Sequence, residues 1–197
     1  MPTGVAAQDE DLALALFRQG CFDVVNGEAI LSQEREDCFA VALAQTQQGC
    51  EKVLKAWLVK MTGRRVYRRP SHLVWTEDLQ AEALNTAPGR GAWADDFRSG
   101  DLRKVRESVK NVLGADLIAT LTEIEGYAPF RSWEHPNTEY PWVDAHGVVQ
   151  IPAKYFDDDV KIAGLSRDAR RMVRAITKVV DNRDFRNEWI KMKAVSG

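Results

Sequence analysis

Gln47-Gln48-Gly49-Cys50-Glu51-Lys52-Val53-Leu54-Lys55-Ala56-Trp57-Leu58 joins a helical apolar stripe to a polar pattern that packing alone would not choose. Cys50, Val53, Leu54, Trp57, Leu58 and Met61 recur at three- and four-residue steps, which places them on one face of a helix. Glu51, Lys52, Lys55 and Lys60 fall outside that stripe of an amphipathic helix, and Glu51, Lys52 and Lys55 read as salt-bridged structural groups. Gly63 is a natural left-handed cap, so the helix is expected to stop there.

Upstream, a first helix is expected from about Asp9 to Leu31, burying Leu14, Phe17, Cys21, Val24 and Leu31, with Gly20 and Gly27 weakening it. Ser32 reads as the N-cap of the second helix, with Gln33, Glu34 and Glu36 near its positive end, and that helix runs to about Thr62. Two long helices joined by so short a turn lie antiparallel. Downstream, Arg64 to Arg69 and Pro70 interrupt the pattern, and Ser71 caps a short third helix reaching about Leu84, with His72 in its first turn.

Residues 85–100 hold four Gly or Pro and no sustained apolar period, and read as an exposed loop insertion. Helical spacing returns from Asp101 to about Ile124 through Val105, Val109, Val112, Leu113, Leu117, Ile118 and Leu121, with Gly114 breaking it in two. Tyr127 to Phe156 is rich in aromatic residues and proline. Val148 to Ile151 can pair with Tyr140 to Val143 through a turn at His146-Gly147, and this small hairpin must lie over the bundle. Ser166 is expected to cap a final helix carrying Ala169, Met172, Val173, Ile176, Val179 and Val180. Its basic face holds Arg167, Arg170, Arg171, Arg174 and Lys178, and residues 183–197 form a helical extension or tail with Arg183, Arg186, Lys191 and Lys193. The expected fold is one all-α domain over 1–197, an up-down bundle of four to five helices with a long antiparallel N-terminal hairpin.

Composition agrees with an ordinary globular chain: 197 residues, 45% hydrophobic, 28% charged, net charge −2. No apolar run approaches the roughly 20 residues that cross a bilayer, and Met1 to Asp11 has no basic start or apolar core, so a cytoplasmic protein without membrane contact is expected. Cys21, Cys38 and Cys50 show no metal-site spacing and read as buried reduced thiols; no metal or cofactor is expected. The chain has no Gly-rich phosphate loop, dinucleotide fingerprint, GxSxG or HExxH. Charge is nevertheless uneven. Residues 52–76 carry seven basic side chains and no acid, whereas residues 1–51 carry nine acids against Arg18 and Arg35. Such a block is a solvated face, a partner for the acidic first helix, or a phosphate-binding surface.

The order of these pieces resembles the HEPN domain family. Its members carry a Gln-x-x-Glu-Lys-x-x-Lys-Ala signature on a long second helix, matched by Gln48, Glu51, Lys52, Lys55 and Ala56. A His near the start of the next helix, here His72, a Tyr-Pro segment, here Tyr140-Pro141, and a closing helix follow. The resemblance covers most of residues 9–182. It implies a homodimer that binds a nucleotide or RNA, in a prokaryotic toxin–antitoxin or defence setting beside a nucleotidyltransferase. On that reading Lys52, Lys55, Arg64, Arg65, Arg68, Arg69 and His72 form the phosphate-contacting surface, since guanidinium groups and a helix start both favour phosphate.

Many members of the family are metal-independent ribonucleases in which Arg precedes His by four to six residues. There, His serves as general acid or base at the ribose 2′-hydroxyl or the leaving oxygen, and Arg stabilises phosphoryl charge. The enzyme alternative makes His72 the acid/base and Arg65 or Arg69 the phosphate anchor. Six residues separate Arg65 from His72, but the family places its pair on a later helix, where Asn182 to Trp189 offers Arg and Asn without His. His135 follows Arg131 by too few residues, and His146 has no suitable Arg upstream. A third alternative is a protein-interaction module docking through the aromatic segment Trp133 to Phe156.

Overall fold

Residues 4–31 contain no proline and repeat apolar side chains at helical spacing, and they form one unbroken helix, α1 (Gly4–Leu31). The computed structural model describes residues 4–33, 38–62, 74–79, 99–128 and 136–179. After α1 come α2 (Phe39–Thr62), a six-residue π-helical turn (Val74–Leu79), α3 (Ser99–Gly126), strands β1 (Trp142–Val143) and β2 (Val149–Gln150), a short α4 (Pro152–Tyr155) and α5 (Asp159–Val179). The protein is all-α with one minimal two-stranded sheet among the described residues.

Helices α1 and α2 run antiparallel: Asp23 pairs with Lys52, and Asn26, one turn later, reaches back to Gln45. Their separation is set by glycine. A Cβ on Gly20 would lie 2.8 Å from the Gly49 carbonyl oxygen, and one on Gly27 would lie 2.7 Å from Thr46 Oγ1. The glycines expected to weaken α1 are therefore the residues that let the two backbones meet.

Several local expectations shift. Helix α1 starts at Gly4 rather than Asp9, and its buried line runs through Ala13, Leu16, Phe17, Cys21 and Val24, with Leu14 and Leu31 only half-buried. Ser32 does not cap α2. Its hydroxyl donates to the Ala29 carbonyl at 2.7 Å and closes the end of α1, while α2 begins at Phe39. Ser166 is also no cap: it lies buried inside α5, with its hydroxyl 3.0 Å from Thr46 Oγ1. The side-chain cap of α5 is Asp158, whose Oδ1 accepts the Lys161 N–H at 2.9 Å. The loop expected over 85–100 ends earlier, because α3 begins at Ser99; residues 85–98 lie outside the described residues, as do the tail 183–197 and most of the third helix expected over 71–84.

Other features match the sequence closely. Gly114 adopts φ 72°, ψ 173°, a region essentially reserved for glycine, and divides α3 into two helical segments. β1 and β2 pair antiparallel, Trp142 with Gln150 and Val143 with Val149, through a turn in which Gly147 has φ 77°. Asp144 builds that turn, since its Oδ1 accepts the N–H groups of His146 and Val148 and its Oδ2 accepts Gln150 Nε2.

Among the described residues one core joins α1, α2, the π turn, α3 and α5, with Trp57, Trp75, Trp142, Phe17 and Leu121 among its largest buried side chains. Each contributes about 1.5–3 kcal/mol by leaving water. The hairpin and α4 close one side of this core: the rings of Trp142, Tyr155 and Phe156 pack together, and Phe156 meets Tyr127 at the end of α3 edge to face at 5.3 Å. Helix α5 presents Ile162, Leu165, Ala169, Met172 and Val173 to the core at helical spacing.

Helix α2 departs most from its reading as an amphipathic helix buried along one stripe. Every residue from Val53 to Val59 is buried, and α2 packs against α1, α3, α4, α5 and the π turn. It is the central helix. Its polar residues outside the apolar stripe consequently meet protein instead of water.

Candidate functional site

Gln47, Glu51 and Lys55 follow one another at four-residue steps along α2, and all three are buried. Lys55 Nζ is ion-paired with Glu51 Oε1, and Gln47 Nε2 donates to Glu51 Oε2 at 3.4 Å. With 6% of its surface exposed, Lys55 cannot serve as a surface cation in this arrangement. Removing charges this far from water is costly unless they are paired, which accounts for the close Glu51–Lys55 contact.

Lys52 occupies a half-buried neighbouring position. Its Nζ lies 2.5 Å from Asp23 Oδ2 of α1 and 3.5 Å from Gln48 Oε1. Gln19 Nε2 donates to the other Asp23 oxygen at 2.7 Å, and Gln48 Nε2 donates to Glu139 Oε1 at 3.1 Å. A polar chain thus links α1, α2 and the segment before β1. Asn137 holds that segment by accepting the N–H groups of Glu139 and Tyr140, and the Thr138 N–H bonds the Tyr127 carbonyl.

Glu125, a buried acid that the sequence reading did not single out, completes the cluster. From the last turn of α3 its two carboxyl oxygens accept the backbone N–H groups of Trp75 and Thr76, each at 2.8 Å. Burial pushes its carboxyl group up to about 7; the two N–H bonds and the Thr76 hydroxyl oppose this, and the charge of Glu51 adds to it. Cys50 lies close enough for Glu125 to act on it. Burial first, and then that negative charge, push the Cys50 thiol well above its ordinary range, so it stays protonated and unreactive.

The residues expected to contact phosphate divide sharply. Lys52 and Lys55 are neutralised by Asp23 and Glu51. Arg64, Arg65, Arg68, Arg69 and His72 lie outside the described residues, as do Arg131, His135 and the Asn182 to Trp189 stretch. His146 is exposed in the hairpin turn. On α5, Arg170 pairs with Glu28 of α1, and Arg171 with Asp168 at 2.9 Å. Among the described residues no group of three or more His, Cys, Asp or Glu side chains could hold a metal ion, and no helix is long and apolar enough to cross a membrane.

A second feature lies on the hairpin. By alternation along β2, Val149 and Ile151 share a face with Val143, which is paired with Val149; all three are exposed, as are Tyr140, Val148, Tyr155 and Val160 nearby in the chain. Trp142 points the other way and is buried. No family model, no curated protein and no solved structure matches this chain.

Proposed function

We propose that this chain is an HEPN-like helical binding module that contacts RNA or a nucleotide through phosphate, in a toxin–antitoxin or defence setting. The observation that supports this reading is the integration of the Gln48, Glu51, Lys52, Lys55 and Ala56 pattern into the central helix, where Lys52 ties α2 to α1, Gln48 ties it to the segment before β1, and Lys55 pairs with Glu51 within the helix. Because Lys52 and Lys55 are committed to carboxylates, phosphate contact falls to Arg64, Arg65, Arg68, Arg69 and His72, a stretch of sequence without an acid. Binding through four arginines should weaken as salt rises, with a log–log slope of about −3 for single-stranded RNA. The test is an RNA titration at several salt concentrations with wild type and with the four arginines changed to alanine. Salt-insensitive binding, or equal binding by the variant, would refute the assignment. Parallel incubation in EDTA separates the enzyme alternative: cleavage lost in His72→Ala would make the module a ribonuclease.

The exposed apolar row on the hairpin favours a second reading, docking of protein through this face. A homodimer is the occupant implied by the family resemblance. Sedimentation of wild type and Val149→Lys tests it: a dimer lost in the variant supports self-docking there, and an unchanged oligomeric state refutes it.

A further inference from the structure

The Glu125 carboxyl group joins two elements far apart in sequence, the end of α3 and the start of the π turn, and it does so from a buried position. Its hydrogen bonds come from the Trp75 N–H and from the N–H and hydroxyl of Thr76, and no cation pairs with it among the described residues. Among the described residues the titratable group that acts on it is Glu51 of α2, which bears a like charge and is itself paired with Lys55, and Glu125 acts in turn on the buried thiol of Cys50. A carboxylate held this way gains two charge-assisted bonds from backbone amides and one from the Thr76 hydroxyl, yet it loses its water and faces another carboxylate. Opening the contact would return it to solvent.

We propose that Glu125 is a proton-responsive clasp between the end of α3 and the π turn, closed when the carboxyl group is protonated and loosened when it is ionised. Desolvation outweighs the amide bonds, so the closed state holds the proton more tightly than the open one. Rising pH therefore favours opening. The clasp fastens the residues that follow directly after Arg64 to His72 in the chain, so its state sets how firmly one end of that connection is held. The clasped turn is π-helical, a rare geometry that is frequent at functional sites.

Amide hydrogen exchange at Trp75 and Thr76, corrected for intrinsic rates, reads the opening directly. With an open-state value of 4.5 and a closed-state value of about 7, the open fraction should rise about seventyfold between about pH 5 and about pH 8. Glu125→Gln should flatten that rise. Protection that does not change with pH in wild type, or an unchanged rise in Glu125→Gln, would overturn the clasp. Carbon-13 NMR titration of glutamate carboxyl groups in the wild-type chain provides a test that needs no variant. A Glu125 resonance titrating near neutrality supports the clasp, and one titrating with the surface glutamates removes it.

Discussion

Replacing Gly49 with alanine tests whether glycine sets the spacing of α1 and α2. The added Cβ would stand 2.6 Å from Val24 Cγ2, 2.8 Å from the Gly20 carbonyl oxygen and 2.9 Å from the Val24 backbone nitrogen. Rotating Val24 relieves only the first contact, and its branched side chain is stiff in a helix. The other two are backbone atoms, so the helices must part, disturbing Phe17, Cys21 and Leu54 at full burial. Overpacking costs up to about 3 kcal/mol, and the gain in helix propensity offsets about 1 kcal/mol, leaving a loss of about 2 kcal/mol. For a chain of this size the melting temperature should fall by about 4–8 °C. Two controls bracket the result in thermal melts followed by far-UV circular dichroism. Gly164→Ala meets only Arg167 Nη2 at 3.7 Å and should raise stability by about 0.5–1 kcal/mol. Gly114→Ala meets nothing within 4 Å but must adopt φ 72°, ψ 173°, and should lose about 2 kcal/mol through the backbone alone. If Gly49→Ala melts at or above the wild-type temperature, close approach of the backbones does not govern this hairpin.

Lys55→Ala should destabilise the fold by about 3 kcal/mol in denaturant titrations, because it leaves Glu51 buried without its lysine. Lys52→Ala should cost about 2 kcal/mol, since Lys52 is 26% exposed but its removal leaves the buried Asp23 carboxylate with its Gln19 bond and without its lysine; a larger loss than in Lys55→Ala would contradict this ranking. Global stability should also depend on Glu125. Its folded value of about 7 exceeds its ordinary 4.5, so its contribution is complete below about pH 4.5 and is lost as pH rises through 7, by about 3 kcal/mol. Denaturant titrations across this range should show that decline in wild type and a smaller one in Glu125→Gln; matching pH profiles would contradict the assignment.

The periodic features of the fold were legible because they depend on neighbours in sequence. Gly114 in α3 and Gly147 in the hairpin occupy conformations that few other residues adopt, and the apolar stripes of α3 and α5 follow a helical period that local spacing reveals. The caps were less legible. Ser32 and Ser166 have the right chemistry, but a hydroxyl serves as well at a helix C-terminus or in a buried pair, and the tertiary partner decides which. Lys52 and Lys55 were recognisable as salt-bridged, whereas the burial of Lys55 was not, nor was the role of Glu125.

That last difficulty has one physical origin. A helix facing one neighbour buries a stripe and leaves its charges in water, and the sequence of α2 looks like such a helix. Gly20 against Gly49 brings α1 close on one side, while α3, α5 and the π turn cover others, so the Gln47, Glu51 and Lys55 line becomes an internal contact. Internal polar groups must then be satisfied from within, by Lys55 for Glu51 and by the Trp75 and Thr76 amides for the Glu125 carboxyl group. A local period reports which residues share a face but not how many faces are covered. The polar signature on α2 therefore pointed to the cluster, while its burial and its nearness to Glu125 required the third dimension.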